Sequence, residues 1–158
     1  MSIDLRDLRG LDQIASQVGW ELMNLQRRGA PTEDRLRKIK EGIELIQILK
    51  TAAKVSEQIT KGVTVGLDDY QAYFTVRRQL FGEINLGKIN IFRYGEVHDE
   101  IHKLLARELR KPLLKILEKY ERVAEKLQKL LEDPQKFSKD ELDTLREQFA
   151  TLSFLLCR

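Results

Sequence analysis

Residues Leu109 to Leu131 read LRKPLLKILEKYERVAEKLQKLL, and in them Leu109, Leu113, Ile116, Tyr120, Val123, Leu127 and Leu130 recur in alternating steps of four and three. Steps of that size return a side chain to the same face of an α-helix, so the segment predicts a long amphipathic helix carrying a heptad stripe. The helical pattern extends back to Glu96. Pro112 lies inside it, lacks a backbone donor and clashes with the preceding turn, which predicts a kink or a restart at that point. A helix of about 36 residues is a rod of roughly 54 Å. A globule of 158 residues with a radius of gyration near 15 Å is only about 39 Å across. Either the proline folds the rod back, or a second copy of the chain covers part of the stripe. On the second account Leu109, Leu113, Ile116, Tyr120, Val123 and Leu127 are the candidate self-association residues.

The flanking sequence is helical as well. Between Leu5 and Leu25 the apolar residues Leu8, Leu11, Ile14, Ala15, Val18, Leu22 and Leu25 fall on one helical face, and Gly29 and Pro31 end the run. Thr32 is the expected N-cap of a second helix, with Glu33 and Asp34 at its positive end, running to Lys61 and stopped by Gly62. Its apolar residues change sides. Leu36, Ile39, Ile43 and Ile46 share one face while Leu45, Ile48, Ala52, Val55 and Ile59 point the other way, so its middle is expected to be covered on both. Asp133 and Pro134 break the chain after the long helix. Ser138 and Glu141 then form an S-x-x-E capping box before a last stripe of Leu142, Leu145, Phe149, Leu152 and Leu156.

Residues 62–95 differ in texture, holding five of the nine glycines. Asp68 and Gln71 have capping-box spacing for a short helix ending near Phe81 and Gly82. Ile84, Leu86, Ile89 and Ile91 straddle Gly87, which fits a small hairpin or an apolar loop. The expectation is a mainly α single domain over 1–158: a bundle of four longer amphipathic helices plus a short one, with a glycine- and aromatic-rich insertion at 62–95.

Composition narrows the function classes. Charged residues are 34% and hydrophobic ones 42%, which is globular composition, and the apolar runs are too short to span a bilayer. Met1 is followed by a charged stretch rather than an apolar leader, so the expected location is the cytoplasm or a nucleoprotein particle, not a secretory route. The single cysteine, Cys157, sits in an apolar stretch and reads as a packing residue. Serine-nucleophile, cysteine-nucleophile and P-loop signatures are absent from the chain. His98 and His102 have the one metal-like spacing, but no glutamate stands next to either histidine as zinc-hydrolase helices require. A non-enzymatic protein without a cofactor is expected, with a His98/His102 metal-dependent hydrolase as the weakest alternative.

Charge placement carries the remaining information. Net charge is +3, and the excess lies early: 10 Lys/Arg against 9 Asp/Glu in residues 1–60, 5 against 3 in 61–95, and 13 against 13 thereafter. Arg9, Trp20 and Arg27 lie off the apolar stripe of the first helix, where an indole among guanidinium groups can stack a base while arginines hold phosphates. The opposing account buries Trp20 under a neighbouring helix. Arg27, Arg28, Arg35, Arg37, Lys38 and Lys40 face only Glu33 and Asp34. Arg77, Arg78, Lys88 and Arg93 interleave with Tyr70, Tyr73, Phe74, Phe81, Phe92 and Tyr94. Lys103, Arg107, Lys111 and Lys115 begin a cationic ridge that continues through Lys119, Arg122, Lys126 and Lys129. Ridges of this kind track a sugar-phosphate backbone without reading bases. Pairing of Glu118 with Arg122 and of Glu125 with Lys129 would instead make it a solvated helix face. The leading expectation is a helical nucleic-acid-binding subunit, coat-like or ribonucleoprotein-like, that self-associates. A protein–protein adaptor is the alternative.

Overall fold

The computed structural model describes Ile3 and residues 9–28, 32–82 and 94–157, with backbone alone at Arg28 and at 94–98. Its elements are α1 (Leu11–Arg28), α2 (Glu33–Thr60), α3 (Leu67–Phe81), α4 (Tyr94–Glu132), a single 3-10 turn (Pro134–Lys136) and α5 (Lys139–Leu156). The described residues are all-helical, a helical bundle without strands. The hairpin considered for Ile84 to Ile91, together with Lys88 and Arg93, lies outside the described residues.

Local chemistry explains most helix ends. The Ser138 hydroxyl accepts from the Glu141 N–H at 3.2 Å, and the Glu141 carboxylate accepts from the Ser138 N–H at 3.3 Å. Two donors that the helix itself cannot satisfy are thereby met. Thr32 caps α2 in the same way, its hydroxyl accepting from the Arg35 N–H at 3.3 Å. At the far end of α2 the N–H of Val63 reaches the Gln58 carbonyl at 2.9 Å and that of Gly62 the Ile59 carbonyl at 3.1 Å. That Schellman closure needs a left-handed residue, and Gly62 supplies it at φ 71°.

The helix α1 starts at Leu11 after Gly10, and Leu5 and Leu8 of the expected stripe lie outside the described residues. Two helix boundaries differ from the sequence reading. The Asp68–Gln71 capping box does not form, because Gly66 is the N-cap and α3 begins ahead of Asp68. Asp68 and Asp69 lie in its first turn instead, where they favour the positive end of the helix dipole. Most telling, α4 continues through Pro112 as one element of 39 residues. The proline costs one backbone bond, the one to the Glu108 carbonyl, and Glu108 is exposed so solvent can meet that acceptor.

The described chain divides into two compact units, residues 1–47 with 116–157, and residues 48–115. In the first, α1 and α5 run antiparallel. The Ser153 hydroxyl donates to the Asp12 carbonyl at 2.8 Å, and 113 residues apart Gln26 donates to the Lys139 carbonyl at 3.0 Å. Ile14, Val18 and Leu22 of α1 and Leu145, Phe149 and Leu152 of α5 are buried in this unit, with Ile39, Ile46, Val123 and Leu127. The Tyr120 hydroxyl donates to the Gln148 carbonyl at 2.6 Å, and burial pushes its pKa up. In the second unit Ile48, Leu49 and Val55 of α2, Tyr73 and Val76 of α3, and Leu109 and Leu113 of α4 are buried.

The heptad stripe is therefore consumed within the chain. Leu109, Leu113, Tyr120 and Leu127 have no accessible surface, Val123 keeps 2% and Ile116 7%. A second copy has no access to these six side chains, and the expectation that they mediate self-association is corrected. Cys157 is also exposed rather than packed.

Two glycines in the first unit separate propensity from packing. A Cβ on Gly42 would stand 3.0 Å from Leu127 Cδ1 and 3.0 Å from Phe149 Cζ, and both neighbours are fully buried. Overpacking there costs about 1–3 kcal/mol and outweighs the roughly 1 kcal/mol that alanine gains over glycine within a helix. A Cβ on Gly19 meets nothing nearer than 3.6 Å. Urea denaturation is expected to show Gly42→Ala losing about 1 kcal/mol, whereas Gly19→Ala gains up to about 1 kcal/mol.

Candidate nucleic-acid interface

In the second unit the apolar stripe of α4 is buried, and this fixes where its cations stand. Residues 103, 107, 110, 111 and 114 follow one another at helical intervals on the flank beside the stripe. Across from them are the last turns of α2, with Glu57, Thr60 and Lys61. The two helices form a cleft of about 330 Å³ lined by these three residues and by Arg107, Arg110, Lys111 and Leu114. Glu57 is its one carboxylate. It receives Lys61 at 2.9 Å and Arg110 at 3.4 Å. These contacts hold its carboxyl below the ordinary carboxylate range, the Lys61 hydrogen bond contributing most, then the charge of Lys61, then that of Arg110. Lys111 pairs with Glu108 at 3.0 Å. Arg107 is exposed and forms no ion pair among the described residues. The Nε of Arg110 is buried and has no hydrogen-bond acceptor among the described residues.

Next to this cluster in sequence order, α3 carries stacked aromatics and guanidiniums. The Tyr70 and Phe74 rings stack with centroids 6.5 Å apart, and Arg77 lies over Phe74 at 4.9 Å and Arg78 at 5.9 Å. Tyr73 is buried beneath, which pushes its hydroxyl pKa up against the opposing influence of Arg77. Arg77 reaches across to α4, its Nη1 standing 3.1 Å from His102 Nδ1. A guanidinium only donates, so Nδ1 is the accepting nitrogen in this contact. The His98/His102 metal candidate lies partly outside the described residues. His102 faces a cation, the His98 side chain lies outside the described residues, and no group of three or more His, Cys, Asp or Glu among the described residues could hold a metal ion.

The first unit presents a different surface. Trp20 is 60% exposed, so it is not covered by a neighbouring helix. Arg9 does not share its face. It precedes the start of α1 and is engaged by Glu41 at 3.4 Å and by the Gln17 side-chain amide oxygen at 2.8 Å. Of the Arg27-to-Lys40 group, Arg37 pairs with Asp34, and Lys38 lies 3.5 Å from Asp34 and 3.9 Å from Glu21. Arg27 and Lys40 are exposed without an ion pair among the described residues, and Arg35 is half-buried; the Arg28 side chain is outside them. The expected solvated-face pairs Glu118–Arg122 and Glu125–Lys129 are not among the ion pairs formed by described residues. Arg122, Lys126 and Lys129 stand exposed, and Lys119 lies over the Tyr120 ring at 5.6 Å.

Sequence reasoning missed Lys61, Glu57 and Arg110. The signal for Arg110 was present in its i+3 spacing from Arg107, but it sits next to Leu109 and drops out of a ridge followed in steps of four. No protein-family model, curated protein or solved structure matches the chain.

Because Lys61 contributes most to the lowered Glu57 pKa, carboxyl titration by NMR is expected to rise further in Lys61→Met than in Arg110→Met. The folded pKa is depressed, so the stabilisation this carboxylate provides is present above the ordinary carboxylate range and is lost as pH falls through the lowered value. Identical Glu57 titrations in both variants and the parent chain would contradict this assignment.

Proposed function

We propose that this chain is a non-enzymatic helical protein that binds a nucleic-acid backbone without reading bases. The observation that supports the reading is the second unit's cleft, where four cations confront one lining carboxylate. Lys103 and Lys115 extend this positive surface along α4 over about 18 Å, a span in which one strand presents a phosphate every 3.4 Å or so. The α3 stack adds an exposed aromatic edge, Phe74 beside Arg77 and Arg78, suited to an unstacked base. No helix of the described residues is long and apolar enough to cross a membrane. Self-association of a coat-like kind remains part of the proposal only through surface other than the heptad stripe.

A protein-binding adaptor is the second reading, favoured by Phe154 at 78% exposure and Leu155 beside it at the end of α5. An exposed phenylalanine at a helix end suits an apolar partner and does nothing for a polyanion.

Salt dependence separates the two. Fluorescence anisotropy with a random-sequence 30-mer, single- and double-stranded, is expected to show affinity at 50 mM salt that falls linearly in log K against log salt. Replacing Arg78, Lys103 and Lys115 together by glutamine removes up to three phosphate contacts outside the cleft and is expected to reduce the slope by about 2–3. Absence of binding at 50 mM salt, or a slope that the triple variant leaves unchanged, would overturn the nucleic-acid reading.

A further inference from the structure

The cleft between the end of α2 and the flank of α4, in the second unit, holds more positive charge than its own acids balance. Lys61, Arg107, Arg110 and Lys111 line it, and the carboxylates that reach these four are Glu57 and Glu108. The C-terminal end of α2, closing at Gly62, adds about half a negative charge. The remainder is roughly 1.5 positive charges. A phosphodiester supplies one negative charge, whereas a phosphomonoester supplies about 1.5 to 2 at neutral pH. Geometry favours the same class. Arg110 presents a buried Nε with no acceptor while its terminal nitrogen holds Glu57, so a fork of donors is only half used. Arg107 is uncommitted among the described residues and borders the same cleft. At about 330 Å³ the space is at the small end of ligand sites, enough for a phosphate and a first sugar rather than a folded polymer.

We propose that this cleft binds a phosphomonoester dianion, with Arg107 and Arg110 as the principal ligands and Glu57 holding Lys61 and Arg110 in place. The proposal deepens the nucleic-acid reading by assigning the cleft to a terminal phosphate. It also stands apart from that reading, since free phosphate carries the same chemistry. The two sources are distinguished by titrating the full chain with one oligonucleotide in 5′-phosphorylated, 3′-phosphorylated and unphosphorylated forms, and separately with inorganic phosphate, following anisotropy and the Arg110 Nε–H resonance. Binding of a terminally phosphorylated form about tenfold more tightly than the unphosphorylated one, with the preference lost in Arg107→Gln and Arg110→Gln, supports a terminal-phosphate site. A shift of the Arg110 Nε–H by inorganic phosphate without oligonucleotide binding supports the cleft as a free-phosphate site and overturns the backbone reading. Equal binding of all three oligonucleotides with no response to inorganic phosphate overturns the cleft assignment and leaves the backbone reading standing. No response to any of the four probes overturns both. Arg107 is exposed, so its variant retains the fold even where Arg110→Gln does not, and circular dichroism checks both.

Discussion

Burial of the apolar stripe along α4 is the constraint on which the other features rest. Each large aliphatic or aromatic side chain removed from water there contributes about 1.5–3 kcal/mol, and Leu109, Leu113, Tyr120, Leu127 and Leu130 are all removed completely. One missing hydrogen bond at Pro112 is small beside that sum, which is why the helix does not restart where the proline alone would break it. The same burial fixes the rotation of α4 about its axis. Once Leu109 and Leu113 point inward, Arg107, Arg110, Lys111 and Leu114 have no choice but to line the flank.

Periodicity and capping chemistry were legible because both are local. The α5 stripe Leu142, Leu145, Phe149, Leu152 and Leu156 is buried at every position, and the Ser138–Glu141 box forms as its spacing implies. In α2 the two expected stripes are buried in part: Ile39 and Ile46 of one and Leu45, Ile48, Ala52 and Val55 of the other are buried, whereas Leu36, Ile43 and Ile59 are half-buried. Misreadings arose where two local rules competed. At Pro112 steric breaking met hydrophobic continuity, and continuity prevailed. At Asp68 the capping-box spacing met an earlier start at Gly66, where a residue without a side-chain cap sufficed because two acids follow in the first turn.

What a partner covers is not a local property, and there the sequence misled. A heptad stripe in a rod longer than a globule's diameter suggests a second copy, yet the chain's own helices bury the stripe. Residues of α2 and of α4 belong to both compact units. Trp20 erred in the other direction. Its exclusion from the α1 stripe was readable, and its exposure follows from the buried positions Val18 and Leu22 on either side. Of the arginines expected beside it, Arg9 precedes the helix and is engaged by Glu41, whereas Arg27 is exposed on α1 without an ion pair among the described residues.

The Glu57 contacts show why a charge census of sequence alone overstates free charge in one place and understates it in another. Between Arg27 and Lys40 the cations look unbalanced, yet Asp34 takes two of them within a single helical turn. Just past the end of α2, Lys61 looks like an ordinary solvated residue, yet folding brings Arg110, 53 positions from Glu57, to share that carboxylate with it. A carboxylate shared between two cations is a positioning device. It orders Lys61 and Arg110 against their mutual repulsion, so that the proposed oxyanion would meet donors already arranged and lose less side-chain entropy on binding.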